Sequence, residues 1–156
     1  MQAIEILPIA LRDGVIVFMK PEHADSYVVG WPAGARPEEV AARTVERLGL
    51  APIVLHSTSW RQPGDEVVLT YVAVVPLSTQ LPRSFVEMPV ARTDLARGDA
   101  TAPPPIIGVA QVLEHALRHL AWLVQDDPVV AGELAGWIGA LESYIPEPFR
   151  SFGPPV

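Results

Sequence analysis

The residues around Asp13-Gly14 constrain the fold of this chain most strongly. This pair is a typical hairpin turn, and it separates the apolar segments 3–11 and 15–19. Residues 15–19, VIVFM, are apolar without alternation, which predicts a strand covered on both faces. Pro8 in the first segment predicts an edge position or a bulge. A sheet with both faces covered must lie between other elements.

The rest of the pattern supplies that cover. Three further strands are predicted, at 26–30, 53–61 and 66–75. Three helices are predicted, at 37–48, at 108–125 and from Asp127 to about Tyr144. Pro37 suits a first helical turn, Gly49 suits a helix exit, and Asp127-Pro128 suits a capped helix start. This order predicts an α/β fold, specifically an α/β/α sandwich around a mixed β-sheet.

One domain is predicted over residues 1–156, with a Pro-rich loop insertion at 76–107 and C-terminal helices at 108–145. The insertion lacks periodicity, which suits a lid or a partner-binding loop and equally suits a packed surface crossover. In the last helix, Gly132 and Gly136 would permit close approach of a neighbour, within the fold or across a homodimer.

Composition excludes several classes of protein. Half of the residues are apolar (49%), so a disordered chain is not expected. The net charge of −7 and the lack of any basic run argue against a nucleic-acid partner. No apolar run reaches the roughly 20 residues that span a bilayer. The N-terminus lacks the basic region of a signal peptide, so a cytoplasmic location without a membrane partner is expected. The absence of cysteine excludes disulfides and thiolate metal sites.

The stretch GWPAG, at 30–34, leads into PEEVAARTVERLGL, at 37–50. Together with the order of elements over roughly residues 1–75, and the helix after 108 as the closing helix, it resembles the Nudix (MutT-like) superfamily. The resemblance implies an α/β/α sandwich and hydrolysis of nucleoside diphosphates linked to another group. The family motif is Gly, five residues, Glu, seven residues, then Arg-Glu-aliphatic-x-Glu-Glu-x-Gly-aliphatic, and its carboxylates hold divalent cations.

Counting back from Gly49-Leu50 without gaps, the family's carboxylate positions fall on Arg43, Glu46 and Arg47. A one-residue gap would instead place Thr44 at the first of these positions. About six residues are missing between Pro32-Ala33-Gly34 and the helix, and the upstream Glu with them, unless Glu38 or Glu39 replaces it. The motif is degenerate in either register.

A guanidinium repels Mg²⁺, which prefers carboxylate and phosphate oxygens. Pairs Glu39–Arg43 and Arg43–Glu46 at helical spacing predict an ion-paired, solvated helix face. Two alternatives remain: residual metal binding through Glu46 with Glu38 or Glu39, and phosphate binding by Arg43 and Arg47 without metal. By resemblance, Glu46 is the candidate catalytic residue, and Glu39 and Glu46 are the candidate metal ligands.

Other candidate residues lie on or beside the strands. Trp31 is a candidate for stacking on a base, although core packing suits it as well. Arg61, at a strand end, is a candidate phosphate contact. His115 and His119 have the i,i+4 spacing of metal ligands, but the string EHALRH offers no third ligand, so they are predicted not to share a metal.

Three functional interpretations follow. The first is a Nudix-fold protein that binds a nucleotide-like ligand or a partner without efficient hydrolysis and needs no cofactor. The second is a Nudix hydrolase with an altered metal site that uses Mg²⁺ or Mn²⁺. The third is an interaction module that forms a homodimer. Metal titration separates the second interpretation from the others, and a ligand-induced shift in melting temperature separates the first from the third.

Overall fold

A computed structural model describes residues 2–76, 80, 82–93, 108–148 and 150–152. Its strands are Gln2–Arg12 (β1), Val15–Pro21 (β2), Tyr27–Gly30 (β3), Val54–Arg61 (β4), Val67–Val74 (β5), Phe85–Pro89 (β6) and Arg150–Phe152 (β7). Its helices are Pro37–Arg47 (α1), Val109–Asp126 (α2), Pro128–Glu133 (α3) and Ile138–Leu141 (α4), with a 3-10 turn at Ala135–Trp137. The predicted α/β class is confirmed.

The strands of the described residues form one mixed sheet in the order β6-β2-β1-β5-β4-β7. Strand β1 is parallel to β5, and β4 is parallel to β7. The β1–β2, β2–β6 and β4–β5 pairs are antiparallel. Strand β3 lies off this path and pairs antiparallel with β1. The longest strand, β1, is therefore central.

Pro8 lies in this central strand, so the prediction of an edge strand or a bulge is wrong. One side of β1 is shared by two partners: β3 pairs with Ala3–Ile6 and β2 pairs with Ile9–Arg12. Pro8 falls in the short gap between them, where the strand has no registered partner on that side. A residue without an N–H donor is tolerated there because neither antiparallel ladder needs that donor.

The two faces of the sheet carry separate cores, because successive side chains of a strand point to opposite faces. On β1, Leu7, Ile9 and Leu11 pack with α2, α3 and α4 in one cluster, which we call the α2 core. Ile4, Ile6 and Ala10 pack with α1 in the other cluster, which we call the α1 core. Helices α1 and α2 therefore cover opposite faces, which is the cover that the apolar strands require.

The last predicted helix is not continuous. Asp127 caps its start as predicted, with the Val129 amide donating to the Asp127 carboxylate at 2.9 Å. At Leu134 the backbone leaves helical geometry (φ −103°, ψ 23°), and a 3-10 turn and α4 follow. Gly132 and Gly136 flank this break, and glycine lowers helix stability by about 1 kcal/mol relative to alanine. Apart from chain neighbours and the backbone of the helix itself, no described atom lies within 4 Å of a Cβ built at either glycine, so neither glycine makes a close contact with another described element.

The Pro-rich segment 76–107 contains a strand that the sequence did not predict. Residues Phe85–Pro89 form β6, which pairs antiparallel with Val17–Pro21 of β2. Strand β7, at Arg150–Phe152, was not predicted either. Residues 77–79, 81 and 94–107 lie outside the described residues. No helix in the described part of the chain is both long enough and apolar enough to span a membrane.

Candidate functional site

Helix α1 presents its charged residues away from the core. Its buried side chains are Val40, Ala41, Thr44 and Val45, which fall on one face at helical spacing. The Thr44 hydroxyl donates to the Val40 carbonyl at 2.7 Å and so needs no partner from another element. Because this face is fixed against the sheet, Arg43, Glu46 and Arg47 point outward.

The C-terminal end of α1 is fixed as well. Gly49 has a positive φ of 76°, and its amide donates to the Glu46 carbonyl. The Leu50 amide donates to the Val45 carbonyl at 3.0 Å, and the Leu50 side chain is buried in the α1 core. This ending holds the last turn of the helix, and with it Glu46 and Arg47, in a defined orientation.

A cavity of about 520 Å³ opens beside this outward face, which we call the α1 cavity. Strand β3 and the following turn form one wall, and α1 forms the other. The lining residues are Val29, Gly30, Pro32, Val40, Arg43, Glu46 and Arg47. The cavity thus brings together three of the predicted site residues, with two guanidinium groups, one carboxylate and an apolar wall.

The predicted ion pairs of this helix face are not formed. Glu38 accepts a hydrogen bond from Arg36 Nε at 2.7 Å, and Glu39 lies 3.6 Å from Arg36 Nη1. Arg36, just before the helix, therefore lies beside Glu39, the carboxylate that helical spacing predicts as a partner of Arg43. Within the described residues, the side chains of Arg43 and Glu46 make no hydrogen bond or ion pair. Arg47 makes one long contact, 3.4 Å to the Thr44 hydroxyl.

Chemically, the α1 cavity suits an anion better than a cation. Guanidinium groups bind phosphate and carboxylate oxygens through paired N–H donors. A divalent cation needs several oxygen ligands, whereas this cavity offers one carboxylate together with two positive charges. Glu39, the second candidate ligand, is exposed, lies next to Arg36 and does not line the cavity. Within the described residues, no three His, Asp or Glu side chains are grouped so that they could hold a metal ion.

Trp31 lies beside the α1 cavity without lining it. Its indole N–H donates to the Ala35 carbonyl at 2.8 Å, and its backbone amide donates to the Gln2 carbonyl at 2.9 Å. The partly buried ring packs against the α1 core. These contacts fix the turn that contributes Gly30 and Pro32 to the cavity wall, and the proposed stacking on a base stays a prediction.

Arg61 lies on the opposite face of the sheet, paired with a carboxylate that the sequence reasoning missed. Its Nη1 and Nη2 atoms donate to the two oxygens of Glu5 at 2.8 and 2.9 Å. Glu5 is 1% exposed and also accepts from the Ser26 and Thr70 hydroxyls. Burial alone would raise the pKa of Glu5, but Arg61 and the two hydroxyls hold it below its usual value. The sequence signal for this ion pair is a Glu within an apolar strand, because a buried charge needs a partner.

The α2 histidines face backbone carbonyls. His115 Nε2 donates to the Thr58 carbonyl at 3.2 Å, where a bulge interrupts the β4–β5 register, and His119 Nδ1 donates to the Glu147 carbonyl at 3.1 Å. Their ring centroids are 6.4 Å apart, and His56 lies 5.4 Å from His119. Burial lowers the pKa of His119, and its hydrogen bond to the Glu147 carbonyl opposes that shift without reversing it. That His115 and His119 share no metal stays a prediction.

A second buried carboxylate, Glu114, was also missed. It accepts from Arg92 Nε at 2.8 Å, from the Thr93 amide at 3.1 Å and from Arg118 Nε at 3.1 Å. Burial would raise the pKa of Glu114, but these three donors hold it below the usual value. The Glu114–Arg118 spacing is i,i+4, so this contact is predictable from the sequence, whereas the contact with Arg92 is not.

The chain was compared with models of protein families and with curated proteins, and neither comparison gave a match.

Proposed function

We propose that this protein is a divergent member of the Nudix fold that binds a phosphate-bearing, nucleotide-like ligand in the α1 cavity, without efficient metal-dependent hydrolysis. The observation that carries the proposal is the guanidinium of Arg43. It lines a cavity and makes no hydrogen bond or ion pair within the described residues.

The charges of the α1 cavity support an anionic ligand. Arg43 and Arg47 are one helical turn apart, so both guanidinium groups can reach one diphosphate. The apolar residues Val29, Pro32 and Val40 give a surface for a base or another flat group. Glu46 lines the same cavity and can accept hydrogen bonds from hydroxyl or amino groups of the ligand. Each polar group of the cavity thus has a complement in a nucleotide.

The architecture supports the Nudix part of the proposal. A mixed sheet with α1 on one face and α2 on the other is the arrangement expected of a Nudix-like α/β/α sandwich. The helix from Pro37 to Arg47 follows the turn after β3, which is the position that the resemblance implies for the motif helix. These features support the fold family, whereas the charges beside α1 argue against its usual metal chemistry.

Two alternatives are retained. A hydrolase with an altered metal site would use Glu46 with Glu39 to hold Mg²⁺ or Mn²⁺, and the position of Glu39 beside Arg36 disfavours it. A homodimeric module would use the C-terminal helices, where Val129 is 72% exposed and Ile138 is 47% exposed. The α1 cavity is the more specific feature because it combines shape with complementary charge.

Binding of ADP tests the proposal. We expect isothermal titration calorimetry to show that the natural protein binds ADP and pyrophosphate and does not bind adenosine. The double variant Arg43→Gln, Arg47→Gln should weaken ADP binding by about 100-fold, since each charge-assisted contact contributes about tenfold or more. The matched control is Arg83→Gln, an exposed arginine that does not line the cavity. Equal ADP affinity in the double variant and the natural protein would disprove the proposal.

Divalent cations are expected to have little effect. Millimolar Mg²⁺ or Mn²⁺ should leave the melting temperature nearly unchanged, and hydrolysis of nucleoside diphosphate sugars should stay near background. The change Arg43→Glu, Arg47→Glu should increase metal affinity because it converts two repelling charges into ligands. Differential scanning fluorimetry and phosphate release measure these effects. Mg²⁺-dependent turnover that Glu46→Gln abolishes would instead establish the hydrolase.

A further inference from the structure

A second cavity, of about 240 Å³, lies on the other face of the sheet, and we call it the α2 cavity. Its apolar lining includes Phe18 of β2, Met88 of β6, and Val109 and Leu113 of α2. Phe18 and Leu113 belong to the α2 core, so this cavity is separated from the α1 cavity by the sheet. Its residues play no part in the function proposed above.

The local structure explains how this cavity forms. Phe18 and Met88 are direct partners in the β2–β6 pairing, so their side chains share one face. Val109 and Leu113 are one helical turn apart at the start of α2 and form the facing wall. The volume lies below the roughly 300–1,000 Å³ of pockets for drug-sized molecules. Its occupant is therefore small.

Two opposite charges also line the α2 cavity. Lys20 shares the face of Phe18 because it is two residues further along β2, and Asp25 comes from the loop between β2 and β3. Neither side chain makes a hydrogen bond or an ion pair with any described residue, including each other. A ligand with one charge would pair with only one of these two groups and leave the other to solvent. A ligand with both charges would satisfy both.

We propose that the α2 cavity binds a free α-amino acid with an apolar side chain. The Lys20 ammonium would bind the carboxylate, and the Asp25 carboxylate would bind the amino group. The side chain would pack between Phe18, Met88 and Leu113. The small volume and the Asp25 carboxylate both disfavour a nucleotide, whose phosphates would meet a charge of the same sign. The proposal does not depend on the function assigned to the α1 cavity.

Calorimetric titration with L-leucine and L-phenylalanine tests this proposal. Three probes serve as comparisons: glycine lacks the apolar side chain, 4-methylpentanoate lacks the amino group, and 3-methylbutylamine lacks the carboxylate. We expect leucine or phenylalanine to bind at least about tenfold more tightly than any of the three, because each lost group removes one set of contacts. Absence of leucine and phenylalanine binding, or equal binding of 4-methylpentanoate and leucine, would overturn the proposal.

Variants locate the binding. Lys20→Met and Asp25→Asn should each weaken binding of the amino acid by about tenfold. Ala110→Trp, which fills the cavity from the exposed first turn of α2, should abolish binding. Glu22→Gln, which changes an exposed acid near Asp25, and Arg83→Gln, which changes an exposed arginine outside the cavity, are controls that should leave the affinity for the amino acid unchanged. Unchanged affinity for the amino acid in Asp25→Asn would also overturn the proposal. Weaker amino-acid binding in Arg43→Gln would do so too, because it would place the amino acid in the α1 cavity.

Discussion

Replacing Arg61 with alanine is expected to lower the free energy of unfolding by about 3–5 kcal/mol, the usual cost of breaking a buried ion pair by removing one partner. The change leaves Glu5, which is 1% exposed, with hydroxyl donors from Ser26 and Thr70 in place of a bidentate guanidinium. Urea denaturation at neutral pH measures the loss. Arg83→Ala is the matched control, because Arg83 is exposed.

The double change Glu5→Leu, Arg61→Met should be less damaging than Arg61→Ala, because it removes both charges together. If Arg61→Ala retained nearly full stability, the pair would have no structural role and Arg61 would again be a candidate phosphate contact.

The same pair gives stability a dependence on pH. The folded pKa of Glu5 lies below the ordinary 4.5, so the contribution of Glu5 is fully present above pH 4.5. It is lost as pH falls through the lower, folded value. Without Arg61, burial is expected to raise the pKa of Glu5 above 4.5 instead. The free energy of unfolding of Arg61→Ala should then rise as pH falls through that raised pKa, because the folded state binds the proton first.

The second large effect is expected for Glu114→Ala, which should lower the free energy of unfolding by about 2–4 kcal/mol. Glu114 holds Arg92, which also donates to the Ser143 carbonyl at 2.8 Å and lies 4.0 Å from the centre of the Tyr144 ring. The expected loss is smaller than for Arg61 because Arg118 keeps Glu147 at 3.6 Å.

Urea denaturation compares Glu114→Ala with Glu142→Ala, which removes an exposed acid from the same part of the chain. Glu114→Gln should be intermediate, since it keeps the shape and an acceptor but loses the charge. Equal stability of Glu114→Ala and Glu142→Ala would mean that Arg92 and Arg118 find other partners at no cost.

The elements that the sequence predicted are those defined by local chemistry. The β1–β2 turn is predictable because a hairpin of this type requires two positive φ values, which the Asp-Gly pair tolerates. Asp13 and Gly14 both adopt positive φ. The end of α1 was recognised because Gly49 is glycine at a left-handed position. Such signals need no knowledge of what lies elsewhere in the fold, so element bounds near them were accurate.

What the sequence did not predict depends on distant partners. Strand β6 lies between Pro82 and Val90, and its pairing with β2 is not encoded in its own pattern. Glu5 and Arg61 are far apart in sequence, so only the sheet brings them together. For α1, Arg36 competed with Arg43 for the same carboxylate, and spacing alone could not rank them. The cavity itself depends on how β3 lies beside α1, and no local pattern describes that distance.

The outward face of α1 affects which substitutions this chain can accept during evolution. Arg43, Glu46 and Arg47 contribute nothing to the core, and exposed substitutions of this kind usually alter stability by less than about 0.5 kcal/mol. The fold therefore places almost no restriction on the chemistry of these positions. A helix anchored by Val40, Ala41, Thr44, Val45 and the buried Leu50 can exchange acids for bases while its neighbours stay in place. Reversal of charge beside a cavity is thus among the least costly ways for such a protein to acquire a different ligand.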